Sequence, residues 1–258
     1  MIECGSIEYA QARLQSRHGQ RATEAQWQQL ESTREFAALL DGARAGPLHG
    51  WVAGLTAQAD AQEIEALLRA HWHAAVAEVI AWMPGRWHGA LAWCAVLPEL
   101  PLLQHLARGG APDAWTSQDP RWRELCAVPP GERAAQLAHG PWRALVQAWF
   151  APDTLAAAWQ AEWRRRLPQP LHDADDSLWL VLVALRRHGA AFAALAATVP
   201  GSGTPLRRAL QARLSLLLRR ATLEPAAAFI HLALSALELE RLRGELLVRK
   251  LFMNAKVA

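Results

Sequence analysis

Lysine is nearly missing from this chain. Of its 27 basic residues only Lys250 and Lys256 are lysines, and the rest are arginines. Ala and Leu are also very frequent, which points to a GC-rich coding bias, so the arginine count alone is no sign of nucleic-acid binding. Tyrosine is rarer still, with one residue beside five Phe and thirteen Trp. Cysteine appears three times, at Cys4, Cys94 and Cys126, far apart and without metal-ligand spacing. That excludes a disulfide-built scaffold or a zinc module and fits a reduced, cytosolic chain. No long apolar run is present. The longest, Ser177 to Leu185, falls well short of the about 20 residues that span a bilayer. The opening MIECGSIEYA has acids and no basic n-region, so no signal peptide is expected. A soluble chain, at most peripheral to a membrane, is the expectation.

Catalytic signatures are missing as well. Gly201-Ser202-Gly203 lacks the lysine and the length of a phosphate loop. No local motif supports a Ser-His-Asp or Cys-His arrangement. His71, His73 and His88 invite a metal reading. Histidines at i,i+2 on a helix point about 200° apart, so His71 and His73 cannot share one ligand sphere. Asp173, Asp175 and Asp176 precede an apolar run and read as carboxylates at a helix N-terminus. No cofactor and no metal is expected.

What is present is helix. The 258 residues are 52% hydrophobic, enough for a large core. Ile7 to Ser16 is short and reads as strand or helix. From Thr23, a plausible N-cap, one helix is expected through Leu40, ended by Asp41-Gly42 and Gly46-Pro47. Asp60 to Trp82 is a long amphipathic helix stopped by Pro84-Gly85. Trp87 to Leu97 and Leu102 to Arg108 follow as shorter helices. Gly109 to Pro120 is the best loop candidate, and two short helices flank Pro129-Pro130-Gly131. Pro141 to Phe150 is another helix, as are Asp153 to Leu167, with Asp153 as N-cap, and Asp173 to Thr198. Gly201 to Gly203 reads as a turn and Pro205 to Arg220 as a basic helix. No convincing strand is found, so the fold class is all-α. Trp-Arg neighbours recur, as in Arg121-Trp122-Arg123 and Trp163-Arg164. They read as helix rims, tryptophan inward and arginine outward.

Charge is unevenly spread. Residues 141–258 carry 16 basic and 9 acidic residues, whereas residues 1–140 carry 11 and 15. A mildly basic half suits an acidic or membrane-facing partner and is too weak to require nucleic acid.

The last long helix, opening at Pro225, sorts its charges into two groups at about 100° per residue. Glu238, Arg241, Glu245 and Arg249 share a narrow stripe of alternating sign, expected to be solvated. Glu240 and Arg243 fall among leucines. Charges there must pair with each other at i,i+3 or meet another partner. The expected contact of Arg243 is Glu240 or a carboxylate or carbonyl in Tyr9 to Leu14. On that reading losing Arg243 costs far more stability than losing Arg241.

The run Glu238-Leu239-Glu240-Arg241-Leu242-Arg243, followed by an apolar turn and Lys250, resembles the C-terminal helix of the V-type ATPase central-stalk subunit family. Archaeal and bacterial members of that family are termed C, and eukaryotic members d. Glu238, Leu239, Leu242 and Arg243 match its pattern, and Arg241 stands where Asn is usual. Tyr9-Ala10, Ala12-Arg13-Leu14 and the helix after Thr23 are similar to the opening of the same family. Ala43 to Gly46 stand where relatives often have Thr-x-Tyr, and Glu99-Leu100-Pro101 replace an Asn-Leu-Lys. The resemblance implies a multi-lobed helical funnel, possessing one lobe from residues 1–108 with the helix 223–252 and another from 120–220, and shorter than its relatives. It implies a non-catalytic subunit on the cytoplasmic face of the membrane, coupling the central rotor shaft to the membrane ring for ATP-driven ion or proton transport. Its partners would be proteins of the shaft and the ring, with no nucleic acid and no small-molecule substrate. The motif residues it singles out are Tyr9, Arg13, Glu238, Glu240, Leu242 and Arg243. A helical adaptor descended from that family but working outside an ATPase is the alternative. An all-α enzyme would require a pocket that gathers His or Asp from distant segments.

Overall fold

In the computed structural model, which describes residues 6–168, 175–196 and 203–253, the first helix begins because Ser6 caps it. The Ser6 hydroxyl accepts from the Tyr9 N–H at 3.1 Å, and α1 runs Ile7–Gly19. The stretch left open between strand and helix is therefore helix. Thr23 does cap α2 (Glu24–Ser32), in a reciprocal box with Gln26. The single helix expected from Thr23 to Leu40 is instead two. Thr33 turns to extended backbone, and α3 (Phe36–Ala45) starts afresh. The Ser32 and Thr33 hydroxyls both donate to Gln29 O, at 2.7 and 3.0 Å, drawing that carbonyl away from the helix ladder. Asp41-Gly42 lies inside α3, where a Cβ on Gly42 would sit 3.0 Å from the Leu30 side chain. This glycine lets α3 close against α2.

After the single turn α4 (His49–Val52), Asp60 and Glu63 form the capping box of α5 (Ala61–Trp82). The middle of the chain is short helices: α6 (His88–Cys94), α7 (Leu100–Ala107), α8 (Pro120–Ala127), α9 (Arg133–His139), α10 (Val146–Trp149) and α11 (Leu155–Arg165). Asp153 does not cap α11. It turns outward to Gln104 and Arg108 instead. The loop expected over 109–120 contains a 3-10 turn, Ala114–Ser117, that buries Trp115. Three long helices finish the chain: α12 (Asp175–Ala196), α13 (Gly203–Arg220) and α14 (Ala226–Met253). Asp173 and the turn at Gly201-Ser202 lie outside the described residues, as does Cys4. Among the described residues no strand occurs, and the fold is all-α.

α14 is the axis. It packs on α1, α3 and α5 on one side and on α12 and α13 on the other, and α6 to α11 form a further layer reached through α5 and α6. Ala226, Ala227, Ala228, Ile230 and Leu234 are fully enclosed, which the small side chains of its first turn permit. The tryptophans do the bulk packing. Trp27, Trp72 and Trp122 are among the largest fully buried side chains. Trp122 meets Trp115 edge-to-face and Trp142 at a tilt, with centroids 5.9 and 4.2 Å away. Trp93 and Trp159 each donate an indole N–H to the other's carbonyl, at 3.0 and 3.1 Å, clasping α6 to α11. Of the Trp-Arg neighbours, Trp87, Trp122, Trp142 and Trp163 are buried while Arg86, Arg123, Arg143 and Arg164 are exposed.

Candidate functional site

Six polar residues of α14 repeat at i+3 and i+4: His231, Ser235, Glu238, Arg241, Glu245 and Arg249. At about 100° per residue they form one stripe down the helix. The lower part was expected to face water, and the structure corrects this. The Glu238 and Arg241 side chains are only 10% and 11% exposed, and Arg249 is buried. The reason is what α2 brings to the stripe. Arg241 pairs with Glu24 at 2.9 Å and with Glu31 at 2.6 Å, and lies 4.5 Å over the Trp27 ring. Arg249 donates to the carbonyls of Leu30, Glu31 and Thr33 at 3.2, 2.9 and 2.6 Å. It thereby serves as the C-terminal cap of α2 from the far end of the chain.

The residues placed among leucines are the ones at the surface, a second correction. Glu240 and Arg243 are 51% and 48% exposed, on the opposite side of α14 with Gly244, Val248 and Leu251. They do not pair with each other. Glu240 meets Arg207 of α13 at 3.2 Å, and Arg243 meets Glu65 of α5, not the Tyr9 to Leu14 segment. Leu242 is buried in the core. Tyr9 is half-buried against it, and exposed Arg13 lies 5.3 Å over the Trp82 ring.

The upper part of the stripe floors a cleft of about 980 Å³. His231, Ser235 and Glu238 form its base. Arg17, Gln20 and Arg21 at the end of α1 make one wall, Pro47, His49 and Trp51 around α4 a second, and His71 and Glu78 of α5 a third. Arg21 ties the walls to the floor. Its guanidinium donates to Leu234 O at 2.6 Å and to Ser235 Oγ at 3.5 Å, and lies 3.5 Å from Glu238. Trp51 Nε1 donates to the other Glu238 oxygen at 3.1 Å. Arg17 and Glu78 pair across the rim.

Burial lowers the Arg21 pKa, with Glu238 opposing in part. His231 is pushed down to about 3, first by burial and then by the charges of Arg21, His18 and Arg17. Its Nδ1 has no hydrogen-bond partner. His18 is lowered too, by burial, Arg21 and Arg219. The partner of the Ser235 hydroxyl is a guanidinium, which cannot take its proton. Such a floor offers donors and one carboxylate in near charge balance, suited to holding a polar segment more than to proton transfer.

A second cluster surrounds Glu99, which is fully enclosed. Its carboxylate accepts from Arg69 at 3.1 Å, Trp122 Nε1 at 3.0 Å and Arg121 at 3.3 Å, and lies 3.0 Å from His73 Nε2. Asp119 anchors Arg121 in turn. Burial would raise the Asp119 pKa, and its bonds to Arg121 outweigh that and hold it low. His71 faces the other way, to Ala53 O at 2.8 Å, so the two histidines diverge. Among the described residues no group of three or more His, Cys, Asp or Glu is placed to hold a metal ion. Cys94 is a free, buried thiol, raised to about 12 by burial.

Sequence reasoning found Glu238 but missed His231, Ser235, Arg21 and Glu99. His231 and Ser235 carried a signal, since they continue the stripe at i−7 and i−3 from Glu238. So did Glu99, an acid between Leu97 and Leu100 in an otherwise apolar run. Compared with protein-family models, with curated proteins and with solved structures, the chain matches none.

Proposed function

We propose that this chain is a non-catalytic structural subunit of a V-type rotary ATPase, coupling the central rotor shaft to the membrane ring in ATP-driven ion transport. One observation supports the reading above others. The two stretches that resemble the family lie at opposite ends of the chain, and they fold onto each other. α1 packs on α14, α2 reaches it through Glu24 and Glu31, which hold Arg241, and Arg21 holds Glu238. The cleft lies at that junction. Its open, charge-balanced form suits a protein segment such as a shaft tip, while the polar stripe keeps the lobe stiff enough to pass on torque. In this role the chain binds neither nucleic acid nor a small-molecule substrate, and it works from the cytoplasmic face.

The test is genetic and biochemical. Deleting the gene in its own host should leave ATP hydrolysis by the catalytic head intact and abolish ATP-driven ion uptake into inverted membrane vesicles. Unchanged uptake would overturn the reading in favour of an adaptor outside any ATPase.

A further inference from the structure

From Ser177 to Leu223 the sequence has seven arginines and no acidic residue. α12 opens with Asp175 and Asp176, one turn before Trp179 and Leu180, and from Ser177 on it is acid-free and turns one face outward. Trp179 is 53% exposed and Leu180 42%. One heptad on, Arg186 and Arg187 are exposed, followed by exposed Ala190 and Ala191. Steps of seven and four return to the same side of a helix, so these six share one stripe, about 18 Å long. The buried residues Leu178 and Val181 lie on the other side, where α12 packs on α13 and α14. Among the described residues no carboxylate pairs with Arg186 or Arg187, although Arg207 and Arg208 of the neighbouring helix are paired to Glu240 and Glu24. The stripe thus combines an exposed indole, an aliphatic side chain, two small residues, and two guanidinium groups without a carboxylate partner among the described residues.

We infer that this face of α12 lies against an anionic lipid surface. Positive charge beside an exposed indole and leucine is complementary to the headgroups and acyl boundary of an anionic bilayer. Tryptophan and arginine both settle at the headgroup level, the indole beside the acyl boundary and the guanidinium on phosphate. The contact is peripheral and stands apart from the ATPase reading.

The probe is cosedimentation with vesicles, one set of phosphatidylcholine alone and one of equimolar phosphatidylcholine and phosphatidylglycerol. The intact chain should bind the second set only, and less as salt rises. R186E/R187E should weaken binding at least about tenfold, since each basic group near an anionic surface contributes several-fold. W179S should weaken it too. All these residues are exposed, so unchanged helical circular dichroism is expected. The control R34E/R143E changes charge equally at exposed arginines on other elements and should bind as the intact chain does. Equal loss in the control would reduce the effect to general basicity and overturn the inference. So would equal binding to both vesicle sets. Binding to polyglutamate without binding to vesicles would assign the stripe to an acidic protein and also overturn it.

Discussion

The structure contains two charge clusters that are near mirror images. Around Glu99 one buried anion is enclosed by two arginines, a histidine and an indole N–H. Along α14 two cations, half-buried Arg241 and buried Arg249, are held by two carboxylates and three carbonyls of α2 and its exit, and Arg249 also by Glu245 at 2.6 Å. In both, a central charge out of water has several partners with geometry to match. Where only one partner is available, as for Arg243 with Glu65, the guanidinium stays half in solvent. The number of partners on neighbouring elements, more than the identity of the residue, decides which charge goes inside.

The clusters differ in how far they are sealed, and variants should report it. Glu99→Ala strips the shared acceptor from Arg69, Arg121 and Trp122, leaving the buried Trp122 N–H without its partner and Arg69 with only Glu65 at 3.8 Å and the Pro98 carbonyl. Chemical denaturation should show a loss of about 3–5 kcal/mol. A loss no larger than that of a surface pair would mean that water reaches the cluster. Arg241→Ala removes a half-sealed cation whose acids, Glu24 and Glu31, retain access to water. The expected loss is about 2 kcal/mol in the same experiment.

The pH dependence sharpens the comparison at the upper end of the stripe. His231 is neutral in the fold with a pKa of about 3, whereas it titrates near 6.5 once unfolded. Between those values the unfolded chain binds the extra proton, so stability falls as pH falls. From pH 6.5 to 5 the loss from this group approaches about 2 kcal/mol. His231→Gln should flatten part of the slope between pH 7 and 5. Glu24, Asp119 and Glu162, whose pKa values are depressed, stay ionised in the fold and add a smaller loss only near pH 5, where the unfolded carboxylates begin to take up protons. An identical slope in the variant would place the titration elsewhere. The smallest effect belongs to Arg243→Ala, at under about 1 kcal/mol, because a half-exposed pair is screened. This ordering inverts the one that the helical wheel of α14 suggests.

That inversion shows where sequence reading reaches and where it stops. Local signals were legible. Thr23 and Asp60 begin their helices, Pro84-Gly85 ends α5, and helical periodicity gives the fold class. The break at Thr33 was not, because no Gly or Pro marks it and the hydroxyls that bend the chain are ordinary polar residues. The stripe on α14 is plain in the sequence, but the side it faces is not. Alternating charges at i,i+3 and i,i+4 look alike whether they face water or complementary charges some 210 residues away. Glu99 has the same difficulty, since Arg69 and Arg121 are distant in sequence and meet it only after folding.

The cap that Arg249 places on α2 has a consequence for how the chain is made. Synthesis runs from α1 to α14, yet the Glu31 and Thr33 carbonyls at the end of α2, and part of the inner faces of α1, α3 and α5, meet their partners in α14. At about 5–20 residues per second the first helices leave the ribosome well before Arg249 exists. Throughout that interval Leu14, Leu39 and Val76 have no complete core to enter. The core that these N-terminal helices share is therefore completed only by the last helix of the chain to be made.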